Sequence, residues 1–144
     1  MSFRRIILHL ALWSGVFLFW LLVTRQHHPT WIVAAAATAV LVSAFALAVY
    51  VNSLILWAKF AKRRRWLRYL LALLALVAAI DLVTVLLIQL VYDWLGVTRA
   101  GRYGFWFNMA SDGAGIIVHV VAAMGVMWIA RYVRRGASPQ PIEG

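Results

Sequence analysis

Five polar side chains with the chemistry to do something in a membrane sit inside long apolar stretches. Asp81 interrupts "LVAAIDLVTVLL", His119 interrupts "GIIVHVVAA", and Asp112 lies just before it in "ASDGAG". His9 and Asn52 occur in "ILHLAL" and "YVNSLI". An ionised group at the centre of a transmembrane helix costs roughly 2.5–3.5 kcal/mol on insertion scales, so each asks for a partner or a function. If the helix carrying His119 begins near Phe105, Asp81 and His119 fall at similar depth. They could then hold and release a proton as a pair, or form an internal hydrogen bond that fixes helix packing. If that helix begins instead at Ser111-Asp112, a dipeptide suited to an N-cap, the match is lost. Asp112 and His119 are seven residues apart and share a helix face with Gly115, which suggests an inward stripe or a slightly wet groove. His9 and Asn52 are each about two turns inside the other boundary. A hydrogen bond between helices there would be worth about 0.6 kcal/mol. Helix packing alone accounts for every one of these groups as well as function does.

Other chemistry is missing. There is no GxGxxG, no phosphate loop, no HExxH and no pair of carboxylates close in sequence. Haem between two histidines needs both at one depth, and His9 and His119 differ by about two turns. His27-His28 could bind a metal or titrate near about 6.5, but they fit a solvated loop. With no cysteine, thiolate sites and disulfides are excluded. The expectation is a protein without catalytic residues, cofactor or metal.

The elements that must position these groups follow from composition. Of 144 residues, 65% are hydrophobic and only 12% charged, with mean hydropathy +0.88. A soluble domain of this size cannot hide so much apolar surface. Four runs, at about 6–24, 31–57, 66–94 and 105–133, reach the roughly 20 residues that cross a hydrocarbon core of about 30 Å. Lipid offers the backbone no hydrogen bonds, and the runs are continuous and do not alternate, so they must be helices. The fold class expected is all-α: one antiparallel bundle of four transmembrane helices over residues 1–135, followed by a Gly/Pro/Ser-rich tail, 136–144, with the composition of a disordered segment. The first run has the look of a signal peptide, but it is long and lacks a small-x-small cleavage site, so it reads as a retained helix. Pro29 marks a helix boundary. Ala35, Ala39 and Ser43 form a small-xxx-small row that would let helices approach closely. Ser14 and Ser43 are central in their helices, and no heptads are evident.

Cations fix the sidedness. Lys59, Lys62, Arg63, Arg64 and Arg65 crowd the turn between Trp57 and Trp66, and Arg68 follows directly. With Arg4, Arg5, Arg131, Arg134 and Arg135 they make eleven cations at one end, against Arg25, Arg99 and Arg102 at the other. The positive-inside rule places both termini and the basic turn in the cytoplasm. Anionic headgroups attract such cations by about 1 kcal/mol each, so the lipid bilayer is the expected partner of the turn. The net charge of +10 suggests no nucleic acid, because the cations cap apolar runs. Most tryptophans sit toward helix ends, as an interfacial belt would. Trp13 is nearer a helix centre.

Two stretches, "HLALWSGVFLFWLL" and "AVYVNSLILWAKFAKRRRWLRYLLALL", resemble the membrane half of LytS-like bacterial sensor histidine kinases. In that family's second-to-third helix junction a Tyr and an Asn precede a Leu-rich turn. A basic cluster, an aromatic residue and a Tyr follow. Tyr50, Asn52, Leu56, Lys62 to Arg65, Trp66 and Tyr69 stand at those places. The resemblance implies a sensor or signal-transducing module in a bacterial inner membrane, as a homodimer or with a cytoplasmic signalling partner. It does not carry over kinase activity, since no phospho-accepting "PHFLFN"-type motif or nucleotide-binding glycines are present. A small oligomeric proton or ion transporter, or a structural subunit of a membrane complex, fits the same residues.

Overall fold

A computed structural model describes residues 3–61, 63–97 and 104–136. Lys62, Arg99, Arg102 and tail residues 137–144 lie outside the described residues. The described chain is helical: α1 (Phe3–Thr24), a 3-10 turn (Arg25–His27), α2 (Trp31–Val51), a π-helix (Asn52–Ala61), α3 (Trp66–Trp94) and α4 (Phe105–Gly136). All four long helices are long and apolar enough to cross a membrane. The protein is an all-α, up-and-down bundle of four candidate membrane spans. The third span has the expected limits, the fourth begins at Phe105, and the second continues through the π-helix to Ala61.

Local chemistry sets the boundaries. Thr30 caps α2, its Oγ1 accepting the Val33 N–H at 3.2 Å. The end of α3 is a Schellman turn, in which the Val97 N–H reaches the Tyr92 carbonyl and the Gly96 N–H the Asp93 carbonyl, both at 3.1 Å. Gly96 supplies the positive φ of 62°. The basic turn repeats the same pattern. The Arg65 N–H bonds the Phe60 carbonyl at 3.1 Å and the Arg64 N–H the Ala61 carbonyl at 3.0 Å, but here Arg64 holds the left-handed position at φ 55°. The π-helix starts where Ser53 Oγ donates back to the Val49 carbonyl at 2.5 Å. The Asn52 N–H divides between the Ala48 and Val49 carbonyls. Such side-chain bonds loosen the regular ladder and admit the wider turn.

α2 is the hub, packing against α1, α3 and α4. Its buried face is Ala34, Ala37, Leu41, Ala44 and Ala48, spaced three and four residues apart in a short coiled-coil-like seam that sequence reading missed. The row expected to permit close approach lies elsewhere. Ala39 and Ser43 are exposed and line an apolar groove of about 560 Å³ between α2 and α3, and Ser43 Oγ bonds its own helix at the Ala39 carbonyl. The main core joins Phe45, Val77, Ile80, Ile116 and Val120 to this seam. No described side chain of α1 is buried. That helix lies on the outside and presents Trp13, Val16 and Trp20 to the core.

A polar cup above a buried carboxylate

At the end of the bundle away from the basic turn, the helices splay around a cavity of about 350 Å³. Thr24 of α1, His27 and His28, Ala37, Thr38 and Leu41 of α2, Ile88 of α3, and Phe107, Asn108, Ser111 and Asp112 of α4 line it. The rim is tied down. Arg25 Nη1 donates to the His28 carbonyl at 2.9 Å, and its guanidinium lies 4.6 Å above the Trp31 ring. His28 Nδ1 and the Tyr92 hydroxyl are 2.6 Å apart, joining the first loop to α3. His27-His28 thus belong to the cup's edge, and His28 is built into the bundle. Below the rim, the Thr24 hydroxyl donates to the Trp20 carbonyl at 2.8 Å. Its one proton is used there, so Thr38 is the donor in their 3.4 Å contact.

Asp81 is not part of the cup's lining but packs against Gly113, the residue after Asp112 of the cup wall. It is 4% exposed, and its Oδ1 is buried with no hydrogen-bond partner among the described residues. The carboxyl faces α4, with Oδ2 3.0 Å from the place a Cβ would occupy on Gly113. Asp112, the preceding residue, forms part of the cup wall and is close enough for the two carboxyls to interact electrostatically. Glycine is what lets the carboxylate approach α4 so closely. Two residues further on, Gly115 plays the same part for α2, since a Cβ there would stand 3.1 Å from Phe45 Cζ.

His119 is placed apart from Asp81. Its Nδ1 is 2.8 Å from the Gly115 carbonyl and its Nε2 receives the Trp20 indole N–H at 3.3 Å. An indole only donates and a carbonyl only accepts, so Nδ1 carries the proton and Nε2 is the acceptor. The ring stacks on Phe45 at 4.1 Å between centroids and 16° between planes. The expectation of an Asp81–His119 contact therefore gives way to Asp81 against Gly113 and His119 against Trp20. α4 does begin at Phe105, but counting inward from helix ends assumes that the ends are level. Asp81 is thirteen residues from the end of α3, and Gly113 only eight from the start of α4. α3 therefore reaches about 7.5 Å further out at about 1.5 Å per residue. The stripe of Asp112, Gly115 and His119 exists, but it passes from the cup wall into a packed layer of Trp20, Phe45 and His119.

A second polar layer lies toward the basic turn, and its pairings differ from the one expected. His9 and Asn52 do not meet. Trp13 Nε1 donates to the Tyr50 hydroxyl at 2.9 Å, and the same hydroxyl is hydrogen-bonded with His9 Nδ1, also at 2.9 Å. This explains a tryptophan far from the interface. Asn52 Oδ1 accepts from the Tyr69 hydroxyl at 2.9 Å, with Met124 Sδ a second acceptor at 3.1 Å. The Asn52 Nδ2 is buried and without a partner among the described residues. Beyond this layer, Trp57, Trp66 and Tyr69 pack edge to face at about 6 Å, clamping the hairpin below the exposed Lys59, Arg63, Arg64, Arg65 and Arg68.

Sequence reading did not identify Thr24, Thr38, Gly113 or Trp20 as part of the site, and gave Tyr50 and Tyr69 a place in the helix junction but no hydrogen-bonding role. A signal existed for one of them: a glycine, Gly113, directly after an acid on an apolar helix. No group of three or more His, Cys, Asp or Glu able to hold a metal ion occurs among the described residues. Comparison of the chain with protein-family models, with curated proteins and with solved structures found no match.

Proposed function

We propose that the chain is a non-catalytic sensory module of a bacterial inner membrane. The basic turn and both ends of the bundle nearest it lie in the cytoplasm, and the polar cup faces the other side. One observation carries this reading: Leu41 of the cup's lining belongs to the buried core cluster with Phe45, Ile116 and Val120, and α2 both walls the cup and runs on to the π-helix and the basic turn. A ligand in the cup is in position to shift α2 rather than to pass between the helices. The excess of cations at the basic-turn end supports the sidedness. The stretches similar to LytS-like sensor kinases support signalling, with anionic headgroups holding the turn and a second copy or a cytoplasmic signalling protein receiving the change. A tagged chain should dimerise in detergent or in cells, or purify with such a partner. A strictly monomeric, partnerless chain contradicts the proposal.

The descending order of Asp112, Asp81 and His119 favours a second reading, a proton or cation carrier completed by oligomerisation. Flux in proteoliposomes that Asp81→Asn abolishes supports it. Flux no greater than that of empty liposomes ends it.

A further inference from the structure

Within the reading of the cup as a ligand site, on which this step rests, the ligand's chemistry can be narrowed. An ionised carboxyl in a dry interior is not left bare, because an uncompensated buried charge costs several kcal/mol. Asp81 is 4% exposed, with one oxygen lacking any partner among the described residues. Its surroundings offer oxygen. Asp112 and Ser111 stand on the cup wall immediately above, and the Thr38 and Thr24 hydroxyls stand on the facing side. Oxygen donors suit hard cations. A divalent ion is disfavoured, since no cluster of three or more His, Cys, Asp or Glu is present among the described residues and Asp112 has contacts of its own. One charge is left to balance. The cavity of about 350 Å³ has room for roughly ten waters at about 30 Å³ each, so an ion can come in hydrated and shed water at its floor.

We propose that the buried end of the cup, where its Asp112 wall adjoins Asp81, binds a monovalent alkali cation, with the Asp81 carboxylate as its principal ligand and the Asp112 side as its approach. Gly113 is then a positioning residue. It lets the carboxylate lie against α4, and a side chain there pushes Asp81 away from its place beside Asp112.

The test uses the full chain in lipid nanodiscs, titrated with NaCl, KCl and LiCl against choline chloride at constant ionic strength. The thermal unfolding midpoint and sodium-23 NMR line width are followed together. A bound ion stabilises the folded state by mass action. One of the three alkali ions should therefore raise the midpoint saturably over choline, and broadening of the sodium line should be reversed by the tightest binder. Asp81→Asn should remove both responses, and Gly113→Ala should weaken them at least tenfold in ion concentration. If Asp81→Asn fails to fold, the wild-type comparison still decides: identical midpoints in all four salts overturn the proposal. So does an infrared carboxylic-acid band that persists in Asp112→Asn, shifts in Asp81→Glu and is indifferent to the salt, which would show that a proton neutralises Asp81. Loss of the alkali effect with dimerisation or partner binding intact refutes the ion alone. An alkali effect in a strictly monomeric, partnerless chain refutes the sensory reading alone.

Discussion

Tyr69 and Asn52 form a buried pair whose two halves are not equivalent. Tyr69→Phe removes the hydroxyl that bonds Asn52 Oδ1. Asn52 Nδ2 already lacks a partner among the described residues, so the substitution strands the whole amide in an apolar layer. Leaving a buried acceptor unpaired costs about 1–3 kcal/mol. Hydrogen bonds between membrane helices measure about 0.6 kcal/mol on average and about 1.7 at most, so the expected loss is about 1–2 kcal/mol. Asn52→Leu takes away the unsatisfied amide as well as the bond and leaves the Tyr69 hydroxyl its second acceptor, Met124 Sδ. It should be neutral within about 0.5 kcal/mol or stabilising, because removing both polar groups can be nearly free. The double variant should resemble Asn52→Leu and not the sum of the two. Equilibrium unfolding in dodecyl maltoside with rising SDS, followed by helicity, reads all four free energies. Equal losses from both single variants, or strict additivity in the double, would refute the asymmetry.

Four further outcomes follow. Gly115→Val should destabilise the bundle by about 1–3 kcal/mol through overpacking, since Phe45 Cζ stands 3.1 Å from the new Cβ. Gly15→Ala and Gly125→Ala, which meet nothing within 4 Å, should be neutral or stabilise by up to about 1 kcal/mol in the same unfolding assay. Arg64→Gly should stabilise by about 1 kcal/mol, because a left-handed residue with a Cβ costs about 1–2 kcal/mol. A loss in SDS unfolding would show that the turn is held by the arginine side chain instead. Replacing Arg63, Arg64 and Arg65 with Glu should invert or scramble topology in a reporter-fusion assay. Unchanged topology would mean that the remaining cations suffice.

The helices were legible because lipid imposes one rule on every residue of a span. The limits of α3 at Trp66 and Trp94 follow from where apolar residues stop and charge begins. The π-helix was not legible. Its cause is a single Ser53 hydroxyl turned back onto the Val49 carbonyl, and serines in helices commonly have no such effect. The polar residues of the site were identified, but their partners were not. Period and depth place Asp81 and His119 within a turn or two, whereas pairing depends on how far α3 overshoots α4 and on which way each face is turned. Gly113 and Trp20 decide those partners. Each contributes through its shape or its lone donor at one spot, which hydropathy does not register.

The chain has no cysteine, so an introduced one reports from a single place. The most direct measurement is labelling of Ser111→Cys and Ile116→Cys, separately, by a membrane-impermeant thiol reagent added from either side. Ser111 lies on the cup wall and Ile116 in the core just below it. The account predicts that Ser111→Cys reacts only from the side opposite the basic turn and that Ile116→Cys reacts from neither. Reaction of Ile116→Cys, or of Ser111→Cys from the basic-turn side, would contradict a cup closed at its floor.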